Sequence, residues 1–274
     1  MPELENCVAL VTGGASGIGR ALCERLASDG AYAVVTDINL AGAEEVAAGI
    51  RQRGGRAAAV ALDVSREAEV QQAVSDVVGS HGRLDYMFNN AAVAIVGEFR
   101  DGNLADFRRV VDVNLFGVVH GTMAAYRVML RQGFGHIVNI SSMTGLMPTP
   151  ILTAYSTTKW AIVGFSTAVR MEAAGLGVKV SAACPGLVRT DIGERNVYWN
   201  VRKEDHLAQL PLRWAIDPDK AAKGILRGVA RNQQIIVFPF SVRVAWWIHR
   251  VCPWVFAPLM GGMLKRFRAL RIKP

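Results

Sequence analysis

A tyrosine and a lysine four residues apart could do acid–base chemistry. Tyr155 and Lys159 lie near the start of a helical pattern, so both side chains should project from one face of a helix. A cation near a phenol favours the phenolate, and we expect Lys159 to lower the tyrosine pKa from about 10 toward a range useful for proton transfer. Such pairs are common on helix surfaces, so this pair gains meaning only from the residues around it.

Ser142 could place a hydroxyl group beside this pair. It follows a predicted strand at residues 136–140. Sheets of parallel strands bind their ligands beyond the carboxyl ends of the strands. We therefore expect Ser142 to lie at that edge of a sheet.

A glycine-rich loop follows the first predicted strand and opens the first predicted helix. Gly13, Gly17 and Gly19 have the spacing G-x-x-x-G-x-G, which differs from the general dinucleotide fingerprint G-x-G-x-x-G. Residues without Cβ atoms let backbone N–H groups and the helix N-terminus approach a pyrophosphate. The same loop could be only a tight connection between a strand and a helix.

Asp37 ends the second predicted strand and could determine which dinucleotide binds, NAD or NADP. Its carboxylate could accept hydrogen bonds from a ribose 2′-OH and would repel a 2′-phosphate. The alternative is a turn or helix-cap aspartate before Asn39. Neither Ala15 nor Ile38 is basic, so the sequence favours NAD over NADP.

These motifs sit in a chain that alternates short apolar runs with longer helical patterns. The predicted strands are residues 7–11, 32–36, 57–62, 84–88, 136–140, 178–183 and 234–238. The predicted helices are residues 18–28, 41–53, 67–78, 104–131, 154–173 and 218–230. The alternation predicts an α/β fold: a single doubly wound Rossmann-type domain at residues 1–238, with a parallel sheet of about seven strands and a C-terminal amphipathic extension at residues 239–274.

The charge of the chain is concentrated in its last part. The net charge is +8, but residues 1–219 carry 20 basic and 23 acidic residues, and residues 220–274 carry 11 basic residues and no acid. A slightly acidic body argues against a nucleic-acid partner.

The four cysteines, Cys7, Cys23, Cys184 and Cys252, form no CxxC pair. They predict reduced thiols, a cytoplasmic setting and no metal site. The first residues, Met1-Pro2-Glu3 and those after them, contain acids and no apolar run, so we expect no secretory signal there. The apolar region 235–260 is interrupted by charged residues and prolines, so it predicts no membrane span.

Taken together, the motifs resemble the classical short-chain dehydrogenase/reductase family over about residues 5–240. The resemblance rests on seven ordered segments: residues 12–19, Asp63-Val64, residues 89–92, Asn114, residues 140–142, residues 155–159 and residues 185–190. One departure is Ala92, where the family usually has glycine, and it bears on the local backbone rather than on the activity.

The resemblance implies a role for each matching residue. Tyr155 is the general acid/base that takes the proton of an alcohol or returns it to a ketone. Ser142, which precedes Tyr155 at the family spacing, hydrogen-bonds the substrate oxygen, and its neighbour Ser141 is structural. Lys159 lowers the Tyr155 pKa and binds the nicotinamide ribose. Asn114 holds a water that connects Lys159 to solvent.

The resemblance also implies a set of cofactor-binding residues. The residues for the pyrophosphate are Gly13, Ser16, Gly17, Ile18 and Gly19, and those for the adenosine are Asp37, Asp63 and Val64. Asn90 and Ala91 line the cofactor cleft. The residues for the nicotinamide end are Tyr155, Lys159, Pro185, Gly186, Val188 and Thr190. The family also favours a homodimer or homotetramer built on the helices around residues 104–131 and 154–173.

The segments on the substrate side are apolar, which suits an apolar alcohol or ketone. They contain Met143, Leu146, Met147, Ile151, Leu152, Ile192, Val197, Tyr198, Trp199, Leu207, Leu210 and Trp214. The alternative is that several of these side chains pack in the core or at a subunit interface. Arg195, Arg202 and Lys203 could meet an anionic handle on a substrate, or they could be solvated loop charges.

The C-terminal extension leaves two interpretations open. Its aromatic residues precede an apolar stripe, Met260, Met263, Leu264, Phe267 and Leu270, and basic residues up to Lys273 surround that stripe. Such a segment could lie on an anionic membrane surface as a peripheral contact. It could equally pack on the body of the protein or on a partner subunit.

The sequence favours an NAD-dependent oxidoreductase that interconverts an apolar secondary alcohol, such as a hydroxysteroid, and its ketone. An NADPH-dependent ketoreductase of the 3-oxoacyl type is the alternative among enzymes, and Asp37 argues against it. A regulatory module that binds a dinucleotide without chemistry would have a broken catalytic set, whereas Asn114, Ser142, Tyr155 and Lys159 are all present.

Overall fold

Within residues 4–272 short apolar runs form nine strands, and the main-sheet strands β1, β2, β4, β6 and β7 are almost completely buried. In chain order the strands are β1 (Val8–Thr12), β2 (Tyr32–Asp37), β3 (Arg56–Ala61), β4 (Tyr86–Asn89), β5 (Ile95–Val96), β6 (Gly135–Ile140), β7 (Val178–Pro185), β8 (Val197–Tyr198) and β9 (Ile235–Phe238). The computed structural model describes residues 4–272. Within that range the main sheet has seven parallel strands in the order β3-β2-β1-β4-β6-β7-β9, and β5 pairs with β8 separately.

Helices cover both faces of the main sheet. They are α1 (Gly17–Ser28), α2 (Leu40–Gln52), α3 (Glu67–His81), α4 (Leu104–Val111), α5 (Gly117–Gln132), α6 (Thr153–Glu172), α7 (Ile192–Arg195), α8 (Lys203–Ala208), α9 (Pro218–Ala230), α10 (Phe240–Val251) and α11 (Ala257–Arg268). Helices α1, α2 and α9 contribute to one buried apolar cluster and helices α3 and α5 to another. This is the doubly wound α/β arrangement that the alternating pattern predicts.

The strand order reverses between β1 and β4. Strands β2 and β3 continue the sheet on one side of β1, whereas β4, β6, β7 and β9 continue it on the other. The loops that leave β1 and β4 therefore diverge and open a crevice at their carboxyl ends, where open α/β sheets bind ligands. The glycine loop, residues 12–19, begins at this crevice.

One long predicted helix is interrupted. Residues 104–131 were expected as a single stretch, but α4 and α5 are separated by a π-helical turn at Asp112–Phe116. A π turn inserts an extra residue into a helix and often occurs at functional sites. Here the turn contains Asn114, which is fully buried.

The C-terminal extension packs partly on the body. Phe267 of α11 is only 2% exposed and packs with Val96, Ile151 and Val201, and Met263, Leu264 and Leu270 border the same cluster. Most of this apolar stripe therefore packs on the body of the protein, and a peripheral membrane contact of the extension stays a prediction. Among residues 4–272 no helix is both long enough and apolar enough to cross a bilayer. Residues 1–3 and Lys273 lie outside the described residues.

Ion pairs hold the same helix in place. Both Arg268 and Arg271 pair with the Glu98 carboxylate, at 2.8 and 2.9 Å, and Arg271 also pairs with Asp101. Hydrogen bonds from Arg268, Arg100 and Arg271, with the largest effect from Arg268, lower the pKa of Glu98 to about 2. The Arg271 side chain is only 6% exposed, so its charge depends on these partners.

We expect Glu98→Gln to loosen α11. The neutral amide removes the anionic partner of Arg268 and one of the two anionic partners of the buried Arg271, so trypsin should cleave the basic C-terminal segment several-fold faster than in the native protein. Because the pKa of Glu98 is lowered from its ordinary value of 4.5, native attachment should persist down to that pH and be lost as the pH falls toward 2. Glu67→Gln, at an exposed position on α3, is the control. Equal cleavage of all three proteins would contradict this account.

Candidate active site

The glycine loop can adopt its path only because some of its residues lack Cβ. Gly13 has a φ of 65°, and a Cβ there would lie 2.8 Å from the Ala91 Cα. A Cβ at Gly19 would collide with the Gly13 carbonyl oxygen. The first turn of α1 therefore comes close to the loop backbone, which leaves the N-terminus of α1 next to the crevice.

The end of β4 holds the glycine loop in this position. The Thr12 hydroxyl accepts hydrogen bonds from the backbone N–H groups of Asn90 and Ala91, at 2.9 and 3.1 Å. The Asn90 side-chain amide donates to the carbonyl oxygens of Thr12 and Gly13, at 2.9 and 3.1 Å. Asn90 and Ala91, predicted to line the cofactor cleft, thus border the loop and fasten it to the neighbouring strand.

Asp37 fastens the other side of the loop. One oxygen of its carboxylate accepts from the Ala15 backbone N–H at 3.1 Å, and the other accepts from the Asn39 N–H at 2.9 Å. The second contact is the turn role that the sequence left open as an alternative. The first places a carboxylate against the glycine loop, beside the N-terminus of α1.

The next predicted adenosine contacts lie at the end of β3. Asp63 accepts hydrogen bonds from both the backbone N–H and the hydroxyl of Ser65, at 3.0 and 2.7 Å. The Val64 side chain is 7% exposed, and its carbonyl oxygen lies 3.0 Å from the His120 Nδ1. Both residues lie in the loop that follows β3, so they share the carboxyl edge of the sheet with Asp37.

Helix α6 is packed closely against the loop that contains Ser142. The neighbouring Ser141 hydroxyl donates to the Lys159 carbonyl oxygen at 2.8 Å, which is the structural role expected for Ser141. A Cβ at Gly145 would collide with the same part of α6. The Ser142 hydroxyl accepts from the Thr144 N–H at 3.2 Å, which orients its oxygen and leaves its proton available to another acceptor.

Tyr155 and Lys159 lie one turn apart on α6, as predicted. The Lys159 ammonium lies 5.3 Å from the centre of the Tyr155 ring and donates to the Ile140 carbonyl oxygen at 2.8 Å. Burial raises the pKa of Tyr155 to about 12, and its hydrogen bond with Ser142 opposes this rise. Burial also lowers the pKa of Lys159 to about 7. The expected lowering of the tyrosine pKa is therefore not met in the protein alone, because desolvation of the phenol dominates.

Asn114 stabilises the approach to this pair. Its side-chain oxygen accepts from the Val93 N–H and its amide donates to the Val93 carbonyl oxygen, both at 2.8 Å. The amide also donates to the Thr158 hydroxyl at 3.3 Å. Asn114 thus connects the loop after β4 to the residue beside Lys159, and its predicted role in holding a water stays a prediction.

The segment after β7 completes the crevice. The Gly186 N–H donates to the Phe238 carbonyl oxygen at 2.9 Å, and Val188 forms a bridge with Ile216. The methyl group of Thr190 lies 3.0 Å from the position that a Cβ would take at Gly17. The predicted nicotinamide segment, Pro185 to Thr190, therefore ends against the predicted pyrophosphate loop.

Arg195 is a charged residue whose position sequence reasoning missed. Its guanidinium donates to the Ser16 hydroxyl at 3.2 Å, so it lies beside the glycine loop. Lys203, the first residue of α8, forms an ion pair with Glu194 of α7 at 2.9 Å. No local pattern signals the Arg195 contact, because 179 residues separate the two partners.

The apolar residues of the substrate side divide into two groups. Leu146, Met147, Ile151 and Trp199 are buried in apolar clusters, and the Trp199 indole donates to Asp106 at 2.8 Å. For these four the packing alternative is correct. A second group is only partly buried: Met143, Leu152, Ile192, Val197, Tyr198, Leu207 and Leu210. Trp214 is 71% exposed.

The arrangement fits a dinucleotide. Without Cβ atoms at Gly13, Gly17 and Gly19, the loop backbone passes close to its neighbours at the N-terminus of α1, and Asp37 lies against the loop at Ala15. Ser142 lies just after the end of β6. Tyr155 and Lys159 lie beside it, in the first two turns of α6. No cluster of metal-ligating side chains occurs among residues 4–272.

Known proteins share this arrangement. Residues 7–200 match the model of the family described as short chain dehydrogenase. SadH of Mycobacterium tuberculosis, named as an oxidoreductase, is 32% identical over 273 residues, which are 98% of this chain and 96% of SadH. A 3-oxoacyl-acyl-carrier-protein reductase of Synechocystis is 36% identical over 85% of this chain and 92% of the relative. A short chain dehydrogenase/reductase from Burkholderia phymatum, crystallised with NAD, superposes with a TM-score of 0.85 at 27% identity and covers 93% of this chain and 96% of that one.

We expect Gly19→Ala to weaken dinucleotide binding. The added methyl group must displace the Gly13 carbonyl and with it the loop, so the Kd for NADH, measured by fluorescence titration, should rise at least about tenfold. Gly79→Ala, on α3, meets nothing within 4 Å and should bind as the native protein does. A folded Gly19→Ala protein with native affinity would show that the loop is only a tight turn.

Proposed function

This chain belongs to the short-chain dehydrogenase/reductase family and is an oxidoreductase that acts on CH–OH groups, and on that premise we propose that it uses NAD to interconvert an apolar secondary alcohol and its ketone. The observation that carries the proposal is the convergence of Ser142, Tyr155 and Lys159 at the crevice that the glycine loop borders.

Tyr155 acts as the general acid/base. Its phenol interacts with the Ser142 hydroxyl, so a substrate oxygen beside both groups can exchange a proton with Tyr155 and accept a hydrogen bond from Ser142. The Ser142 proton is available for that bond because its oxygen already accepts from Thr144. Ser142 thereby stabilises negative charge that develops on the substrate oxygen.

Lys159 supports the ionised form of Tyr155. Lys159 is 1% exposed, and its ammonium faces the tyrosine ring at 5.3 Å from the ring centre. Because burial lowers the Lys159 pKa to about 7, a phenolate nearby would favour the charged ammonium, and the ammonium would favour the phenolate in return. Lys159 also reaches toward the crevice, where we place the nicotinamide ribose.

The residues of the crevice hold the dinucleotide. We assign the pyrophosphate to the glycine loop with Ser16 and Ile18, and Arg195 supplies a positive charge there that the loop itself lacks. Asp63 and Val64 border the adenine, and Pro185, Gly186, Val188 and Thr190 border the carboxamide end. When bound, the cofactor supplies the hydride chemistry of the reaction.

Asp37 supports NAD rather than NADP. Its carboxylate is only 9% exposed and is anchored by Ala15 and Asn39, so it cannot swing away to admit a second anion. A 2′-phosphate at this position would meet a fixed negative charge, whereas a 2′-hydroxyl could donate to it.

An apolar substrate is supported by the partly buried side chains beside the crevice. Met143 follows Ser142, Leu152 precedes Tyr155 on the chain, and Val197 and Tyr198 belong to the strand that pairs with β5. These residues offer dispersion contacts and few charges. The Synechocystis relative favours a 3-oxoacyl-type ketoreductase as the second candidate, and the choice between NAD and NADPH separates the two.

We also propose a division of the chain and an oligomer. Residues 1–238 form the dehydrogenase domain and residues 239–274 form an extension, because α10 begins directly after β9. Exposed apolar side chains on α5 and α6, including Met123, Trp160 and Met171, support a homodimer or homotetramer through these helices.

We expect Tyr155→Phe to abolish turnover while dinucleotide binding persists. The phenylalanine keeps the packing but cannot exchange a proton, so kcat should fall by at least about 10²-fold, and the Kd for NADH should stay within about threefold. Tyr126→Phe, at a partly buried tyrosine on α5, is the matched control and should keep native turnover. The measurement is the formation of NADH with a panel of apolar secondary alcohols. Native turnover by Tyr155→Phe would refute the assigned mechanism.

A further inference from the structure

Helix α10 has two apolar faces, and only one of them packs on the protein. Val242, Ala245 and Trp246 pack against the buried cluster that contains Leu146 and Met147. The opposite face carries five large apolar side chains at helical spacing, with exposed fractions of 75, 40, 58, 42 and 69%: Phe240, Val244, Trp247, Ile248 and Val251. An amphipathic helix attached to a soluble body would place polar residues there.

The exposed apolar surface continues past the end of α10. Trp254 and Val255, in the 3-10 turn after α10, are 68 and 55% exposed, and Leu259 in α11 is 62% exposed. We call these eight side chains the outer stripe. So many large exposed apolar side chains in one segment of the chain indicate a contact with something else.

The segment that carries the outer stripe contains basic residues and no acidic residue. Arg243, Arg250, Lys265 and Arg266 are exposed in the same segment, and no acid follows Asp219. The two other described arginines of the tail, Arg268 and Arg271, are paired with Glu98. Arg243 also donates to the Val237 carbonyl oxygen at 3.2 Å, which leaves its charge without a described acidic partner, so these four cations can meet an anionic partner.

We propose that the outer stripe is the site where this protein binds an anionic lipid surface. Tryptophan rings beside arginine and lysine suit the boundary between headgroups and acyl chains, where the rings bury apolar area and the cations meet phosphate groups. A second copy of the chain fits less well, because a two-fold contact through the outer stripe would bring two basic, acid-free segments together.

The attachment of the tail gives this contact a consequence for access to the site. The inner face of α10 packs beside the loop that follows Ser142, and α11 packs on Ile151, which precedes Tyr155 on the chain. A bilayer at the outer stripe would therefore lie one helix away from the predicted substrate side. Lipid binding itself does not depend on the proposed substrate.

The test is co-sedimentation of the full-length protein with vesicles. Native protein should pellet with vesicles of phosphatidylcholine and phosphatidylglycerol, less with phosphatidylcholine alone, and less as salt is added. Trp247→Ser/Val251→Ser/Trp254→Ser should reduce the pelleted fraction at least fivefold. The matched control is Ile38→Ser/Leu40→Ser/Leu176→Ser, which removes three exposed apolar side chains outside the tail and should pellet as the native protein does.

Charge variants test the second half of the proposal. Arg243→Gln/Arg250→Gln should weaken binding to the anionic vesicles, and Arg227→Gln/Arg231→Gln, at exposed positions at the end of α9, should not. Thermal melting of each variant confirms that it folds. Native pelleting by the folded stripe variant, or no pelleting of the native protein, would overturn the proposal. Light scattering that shows loss of an oligomer in the stripe variant, without vesicle binding by the native protein, would assign the surface to a second copy instead.

Discussion

The parallel pairing of β1 with β4 is the constraint on which the dinucleotide side of the protein depends. The register places Val11 beside Phe88, so the glycine loop leaves the sheet next to Asn90 and Ala91. Two strand ends that are this close leave no room for a side chain at Gly13, and the hydrogen bonds of Thr12 and Asn90 close the gap. The sheet order opens the crevice, and these contacts shape the loop that borders it.

The catalytic side depends on the close packing of α6 against β6 and the loop that follows it. Ser141 and Gly145 bring that loop to the backbone of α6, which sets the separation between Ser142 and Tyr155. The same packing buries Lys159, at a cost in desolvation that lowers its pKa to about 7. A buried lysine with a lowered pKa contributes little to stability, and its position below Tyr155 is the reason that we assign it to the reaction.

Sequence reasoning succeeded where local periodicity decides the structure. The seven strands of the main sheet and α9 follow their patterns closely, and the Tyr155–Lys159 spacing places both on α6. It did not find the π turn at Asn114, a residue whose side chain bonds to Val93, 21 positions away in the sequence. It could not orient α10, since a helix with two apolar faces has no pattern that says which one is buried. The contact of Arg195 with Ser16 likewise needs the folded substrate loop.

The most direct test of the central claim is the catalytic efficiency of the native protein with the two dinucleotides. With one apolar secondary alcohol as substrate, kcat/KM should be at least about tenfold higher with NAD than with NADP, a difference of about 1.4 kcal/mol that the anchored Asp37 carboxylate would supply. Replacing Asp37 by Ala should lower the ratio of kcat/KM with NAD to kcat/KM with NADP, while turnover through Tyr155 persists. Equal or greater efficiency with NADP, or NAD binding without turnover of any alcohol or ketone, would contradict the account.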